Sequence, residues 1–326
     1  MSFRTVEITG PAELHVKNGS LVIEKEIKEE KGKTKPAAVS AGSRKKQKKP
    51  ELTKLTIPLE DIYTIVCMGA GIRISTMAMA QLCKNKISMA MLDEKYRPSG
   101  FLNAYEANAR QSLTMRRQVF LKNERAEALW RSIIERKIRN QICVLEILGL
   151  DDIEKLRSFA ECTETITEID PLEAGAAKAY FARLCPEMNR REDTPMNSRL
   201  NYGYSILRNS IIRAVIAAGL LPSFGIHHQN LYNAYNLADD LIEPFRPSVD
   251  LIAYGMTGET DQLSREERRQ LAAVVLCAVE LDGQKMPILQ AIDRVVGEYR
   301  TFIMEETDRI HMPHTLPVEM IPQIKE

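Results

Sequence analysis

No stretch of this sequence approaches ~18 consecutive apolar residues, so no membrane-spanning helix is expected. Met1 to Gly10 has no basic segment leading into an apolar run, so no secretory signal is expected either. Among the six cysteines, Cys67, Cys83, Cys143, Cys162, Cys185 and Cys277, no two are three apart. That speaks against a zinc site or a disulfide framework and suits buried thiols in a reducing cytoplasm. A Walker-type glycine-rich loop is missing; Gly69-Ala70-Gly71 is too short and reads as a turn. There is no internal repeat. Nor is there an excess of one sign of charge, since 45 Lys and Arg face 44 Asp and Glu for a net of +1. Affinity for nucleic acid, if present, must come from local basic surface.

What is present suits an α+β protein with a small N-terminal β-domain and a mostly helical domain after it. A chain of 326 residues allows one large domain or two ordinary ones, and 44% hydrophobic residues exclude general disorder. Residues 1–97 read as β-rich. Thr5 to Thr9 alternates, and Glu13 to Val16 and Leu21 to Ile23 flank an Asn18-Gly19 hairpin signal. Leu55 to Ile57 and Tyr63 to Val66 continue the pattern, a short helix spans Ser75 to Asn85, and Ile87 to Leu92 reads as a buried strand. Glu24 to Lys54 interrupts this domain with Lys, Glu, Ser and Gly, including Arg44-Lys45-Lys46-Gln47-Lys48-Lys49. Too poor in apolar residues to offset its chain entropy, it reads as a mobile hairpin insertion, either a solvated loop or a basic arm for DNA phosphates.

From Pro98 to His311 the pattern is helical. Helices are expected over Ala126–Leu148, Asp151–Glu161, Pro171–Cys185, Ser198–Gly219, Leu237–Phe245, Arg265–Glu280 and Met286–Glu305. Residues 312–326 read as an extended tail.

Three places carry candidate metal ligands. Glu173 sits in the first turn of the Pro171 helix among Ala174, Gly175, Ala176 and Ala177, whose small size allows close approach of a substrate or backbone. His227 and His228 lie in a loop after a helix break. In the run Asn236 to Pro247, Asp240 and Glu243 share one face if the segment is helical. Two carboxylates on one face repel unless a cation sits between them, and a divalent ion or an arginine would serve. Carboxylates suit Mg²⁺ or Mn²⁺, and an imidazole tilts the choice to Mn²⁺. Each feature alone has a plainer reading: a solvated helix face, histidines bonded to backbone, and an acid favoured by the helix macrodipole.

Together, Leu200-Asn201-Tyr202-Gly203-Tyr204, Gly219-Leu220-Leu221-Pro222, Gly225-Ile226-His227-His228 and Leu237 to Pro247 resemble the CRISPR-associated spacer-acquisition integrases, the large adaptation subunit. Lys137-Ile138-Arg139-Asn140-Gln141 resembles that family's basic helix, and Met1 to Glu26 resembles the type II branch that works beside a single-protein effector nuclease. The resemblance implies that Glu173, His228 and Glu243 are catalytic metal ligands, with Asp240 contributing, while His227 fits the spacing less well. It implies Mg²⁺ or Mn²⁺, a homodimer, and two dimers bridged by a small ferredoxin-like subunit. It also implies attack of a spacer 3′-hydroxyl on a phosphodiester of the repeat in double-stranded DNA. The insertion at 24–54 departs from the family pattern.

Such a transesterification conserves bond energy and needs no ATP, in keeping with the missing phosphate loop. Lys178 or Arg246 could supply charge to the phosphoryl oxygens. Phosphate contacts are expected from Arg110, Arg116, Arg117, Lys137, Arg139, Arg190, Arg191 and Arg208. A structure-selective nuclease and a non-catalytic DNA-binding scaffold are the competing readings.

Overall fold

The computed structural model describes residues 4–26, 52–93, 98–105, 110–186, 192, 194–257, 260 and 262–320. Its first half is built from β1 (Arg4–Thr9), β2 (Ala12–Lys17), β3 (Ser20–Glu26), β4 (Leu52–Pro58), β5 (Ile62–Met68), β6 (Ile72–Ile74), α1 (Thr76–Lys84), β7 (Ser88–Leu92) and β8 (Pro98–Leu102). Asn18 and Gly19, with φ of 49° and 73°, close the β2–β3 hairpin with the twist that two-residue turns favour. Two four-stranded sheets result, in the orders β1-β5-β7-β8 and β4-β3-β2-β6. Ile8, Leu14, Leu21, Ile57 and Ile65 from both sheets share one core with Leu82 of α1.

Strand β5 runs parallel to both neighbours and is buried along its whole length. A central parallel strand covered on both faces needs apolar residues on each. Ile65 and Cys67 enter the N-terminal core, whereas Val66 and Met68 enter the larger core of the second half. Arg213 fastens the same junction by donating to the Tyr63 hydroxyl and to Asp293, its guanidinium 3.6 Å from the Tyr63 ring centre.

The second half holds α2 (Gln111–Val119), α3 (Asn123–Ile147), α4 (Glu154–Cys162), α5 (Ile169–Leu184), α6 (Pro195–Ala217), α7 (Asn236–Leu241), α8 (Arg246–Tyr254), α9 (Arg265–Ala272), β9 (Cys277–Leu281), β10 (Gln284–Pro287), α10 (Ile288–Ile303) and β11 (His314–Met320). No helix among the described residues is long and apolar enough to cross a membrane.

Several expectations change. Strands continue past residue 97, because β8 pairs with β7. The ends of the 24–54 stretch are strand: Glu24 faces Lys54 in the β3–β4 ladder, and their side chains meet at 3.5 Å. The Arg44–Lys49 run lies outside the described residues. The expected helix Arg265–Glu280 stops at Ala272, and Cys277-Ala278-Val279-Glu280-Leu281 is the central strand of a sheet ordered β10-β9-β11. Its turn is Asp282-Gly283, both at positive φ, a hairpin signal that an all-helical reading passes over. Residues 314–320 of the expected extended tail are the strand that completes this sheet. Helix α8 starts straight after Glu243-Pro244-Phe245 because Pro247 falls in its first turn, where proline is tolerated.

Helix α3 ties these parts together through Asn140, which is fully buried. Its amide donates to the carbonyls of Pro244 (2.7 Å) and Pro313 (2.9 Å), and its carbonyl accepts from Thr315 N (3.1 Å). Asn140→Ala strands three backbone groups, at about 1–3 kcal/mol for each buried group left unpaired. The expected result is a fall of about 3 kcal/mol or more in denaturant-derived stability with an unchanged m-value. A loss under 1 kcal/mol would refute this role.

Candidate active site

The loop 219–235 between α6 and α7 carries both candidate histidines, and side chains from elsewhere shape it. Gln118 at the end of α2 donates to the carbonyls of Leu221 (2.9 Å) and Phe224 (2.7 Å) and accepts from Leu221 N (2.8 Å). Asp240 in α7, fully buried, accepts at Oδ2 from Ile226 N (2.5 Å) and His227 N (3.0 Å). Its Oδ1 faces His228 N (3.2 Å) and His228 Nδ1 (2.5 Å). Gly225 is required here: a Cβ would lie 2.4 Å from the His228 carbonyl and 2.6 Å from Asp240 Oδ2.

Asp240, expected to contribute to a metal site, is placed here as the group that shapes the histidine loop. Both its oxygens are committed to the loop, and its effect on the site runs through His228. With Nδ1–H donated to a carboxylate, the His228 lone pair is placed on Nε2. That nitrogen has no partner among the described residues. The Asp240 hydrogen bond raises the His228 pKa above its ordinary 6.5 against the opposing effect of burial, and the charge of Glu243 adds to the rise. His227 is turned away from this duty. Its ring stacks on Trp130 at 4.5 Å and 4°, and its Nε2 lies 3.0 Å from Asp170.

Glu173 and Glu243 converge on Lys137. Helix α5 begins at Ile169, so Glu173 lies in its second turn, where the macrodipole gives an acid little support. The small residues around it admit a neighbouring helix: a Cβ on Gly175 would sit 3.1 Å from the Phe159 ring. Glu243 opens a 3-10 turn after α7 and is 5% exposed. The Lys137 ammonium is 2.5 Å from Glu173 Oε1 and 2.6 Å from Glu243 Oε2. The second approach is an ion contact only, since Glu243 Oε2 receives no well-directed hydrogen bond. Arg246 donates to Glu243 Oε1 at 2.7 Å, and its guanidinium lies 4.7 Å from the ring centre of Tyr204, which reaches Asp250.

Burial pushes the Glu243 pKa up, but Arg246 and Lys137 pull harder, and it falls from 4.5 to about 2. A depressed carboxylate contributes stability that is present above the unfolded value and lost as pH falls through the folded one. The stability difference between wild type and Glu243→Gln should be level above pH 4.5 and shrink as pH falls toward 2. Constant separation in acid titrations followed by circular dichroism would refute it.

Lys137, expected on DNA, is thus a buried counter-charge, 8% exposed. Lys137→Met should cost about 3–5 kcal/mol, because an ion pair broken from one side leaves uncompensated charge behind. Adding Mn²⁺ should restore more of the melting temperature in this variant than in wild type. Equal shifts would contradict it.

Three of the basic candidates are held in ion pairs within the fold: buried Lys137, half-buried Arg246, and half-buried Arg208, which donates to Asp239 (2.7 Å) and lies over Tyr235. Arg139 pairs with Glu135 on its own helix at 2.7 Å, with half its side chain exposed. Arg110, Arg116, Arg117 and Lys178 are exposed. Arg190 and Arg191 lie outside the described residues. Gln118 was not singled out from sequence, and Trp130 and Asn140 entered only as part of the α3 pattern. For Asn140 and Lys137 the available signal was a polar residue inside the apolar stripe of α3.

The donor set of two carboxylates and one imidazole suits Mg²⁺ or Mn²⁺. The Glu243 oxygen without a directed donor already faces one cation, the Lys137 ammonium at 2.6 Å. As the side chains stand, no three His, Cys, Asp or Glu residues among the described ones are close enough to hold an ion. Holding one with Glu173, His228 and Glu243 requires the Lys137 ammonium to give way.

Residues 7–276 match the family model described as "CRISPR associated protein Cas1". The chain is 28% identical over 270 residues to the CRISPR-associated endonuclease Cas1 of Neisseria meningitidis serogroup C (strain 8013), covering 81% of this chain and 88% of that protein. Among solved structures it superposes on a casposase bound to integration product with TM-score 0.73 and 18% identity, covering 100% of this chain and 96% of the other. A CAS1 protein from Thermotoga maritima gives 0.68 and 16%, covering 92% and 97%. A Cas6-RT-Cas1–Cas2 complex gives 0.67 and 18%, covering 94% of this chain and 35% of that one.

Proposed function

The chain belongs to the CRISPR associated protein Cas1 family, and from that premise we propose that it is a metal-dependent DNA integrase. It inserts spacer DNA into a CRISPR array by attack of a 3′-hydroxyl on a repeat phosphodiester. The curated relatives are CRISPR-associated endonucleases and one structural neighbour is a casposase on an integration product, which supports DNA strand cutting and joining as the reaction class.

One observation carries the reading. Glu173 and Glu243 come from separate elements to one cation-demanding point, near a His228 whose Nε2 is left open. Carboxylates are brought together in this way, at a cost in repulsion, where a cation is to be bound. A Mg²⁺ or Mn²⁺ held by Glu173, His228 and Glu243 would neutralise phosphate charge and ease ionisation of the attacking hydroxyl. The chain itself sets the ligands: Asp240 fixes the His228 ring and tautomer, Arg246 orients Glu243, and Lys137 stays close enough to add positive charge beside the phosphate.

Exposed Arg110, Arg116, Arg117 and Lys178 are proposed to contact phosphates of prespacer and repeat. A homodimer, with two dimers bridged by a small second subunit, is proposed as the assembly, and the Cas1–Cas2 composition of the neighbouring complex supports a second subunit. Product length tests the reaction. Labelled duplex with 3′ overhangs, a plasmid bearing the repeat, the small subunit and Mn²⁺ should yield a labelled strand longer than either input. Shortened strands alone would replace the integrase with a nuclease.

A further inference from the structure

The tip of the histidine loop holds two large apolar side chains in water. Leu231 is 95% exposed and Tyr232 98%. They are the central residues of a turn closed by Asn233 N to the Asn230 carbonyl at 3.0 Å. The Asn230 side chain accepts from Tyr232 N at 2.9 Å, and Asn236 donates to the Asn230 carbonyl at 3.0 Å. On the other side Asn233 donates to Asp239 at 2.7 Å, beside Arg208. The tip is therefore stiff. Its side chains are held out rather than left out, three and four residues from His228.

Two side chains are too small to anchor a stable protein contact, which takes about 800 Å² from each partner. They do match the area of a nucleobase. An aromatic face stacks on any base, so it suits DNA of unfixed sequence. Charge allows it: the carboxylate nearest the tip, Asp239, is paired with Arg208 at 2.7 Å.

We infer that Tyr232, backed by Leu231, is a base-stacking finger that seats an unpaired nucleotide of single-stranded DNA beside His228. The inference rests on the proposed DNA reaction. Tyr232 takes no part in the chemistry; it positions the strand end.

Because the residue is exposed, its variants should fold as wild type does. The test uses the full chain in EDTA, so that no chemistry intervenes. The probes are a duplex with 2-aminopurine in its 3′ overhang and a blunt duplex of equal paired length. Wild type and Tyr232→Phe should quench the fluorophore and bind the overhang duplex alike. Tyr232→Ala should lose the quench and bind that duplex about tenfold more weakly, with blunt binding unchanged. Equal quenching and affinity in Tyr232→Ala, with DNA binding and joining intact, would overturn the finger and leave the integrase standing. Loss of dimer or of small-subunit binding in Tyr232→Ala, with quenching kept, would overturn it in favour of a protein contact. If wild type neither binds nor joins DNA, the proposed function falls and the finger with it.

Discussion

Strand joining by Glu173→Gln/Glu243→Gln is expected to drop at least about a thousandfold, the scale on which removing a preorganised charge set raises a barrier. The substitutions keep shape and remove both negative charges. Lys137 then loses both its partners, so the ammonium is left buried and unpaired. The variant should therefore be less stable than wild type but still folded, and folding must be confirmed beside the activity. Divalent binding supplies a second readout. Wild type should take up Mn²⁺ in calorimetry, and the double variant should not. Full joining by the folded variant would remove these carboxylates from the mechanism.

The second large effect belongs to Asp240. Asp240→Ala removes the acceptor for three loop N–H groups and for the His228 ring. Ile226 is buried, so its amide is left without water or partner. The cost should be about 3 kcal/mol or more, from groups worth about 1–3 kcal/mol each. Joining should fall nearly as far as in His228→Ala, although Asp240 need not touch the ion. Adding Asp240→Ala to His228→Ala should then change joining little further, because the two act as a unit. Independent, multiplying losses would separate them.

How much of this was readable from sequence varies with the physics of each residue. The β2–β3 hairpin was legible because its turn chemistry is local: Asn18-Gly19 fixes it with no help from afar. Helix α3 was legible because its apolar period is strong over 25 residues. Strands β9 and β11 were not, since a strand after a short helix continues its apolar pattern, and its partner lies more than thirty residues on. In the site, Glu173, His228 and Glu243 were marked by a family resemblance rather than by spacing, and the structure draws the two glutamates to one ammonium. The loop-shaping role of Asp240 was not legible because sequence shows its charge but not its donors, which are backbone amides 12 to 14 residues away. The burial of Lys137 was hidden for the same reason, since a basic run looks like surface until the structure shows which side chain turns inward.

The most direct measurement of the central claim is metal-dependent transfer of a labelled prespacer strand into a repeat-bearing plasmid, comparing wild type with a folded His228→Ala chain. The small subunit is present throughout, with Mn²⁺ or with EDTA. The account predicts transfer by wild type in Mn²⁺ alone and none by His228→Ala under either condition. Transfer by His228→Ala at the wild-type rate, or by wild type in EDTA, would contradict it.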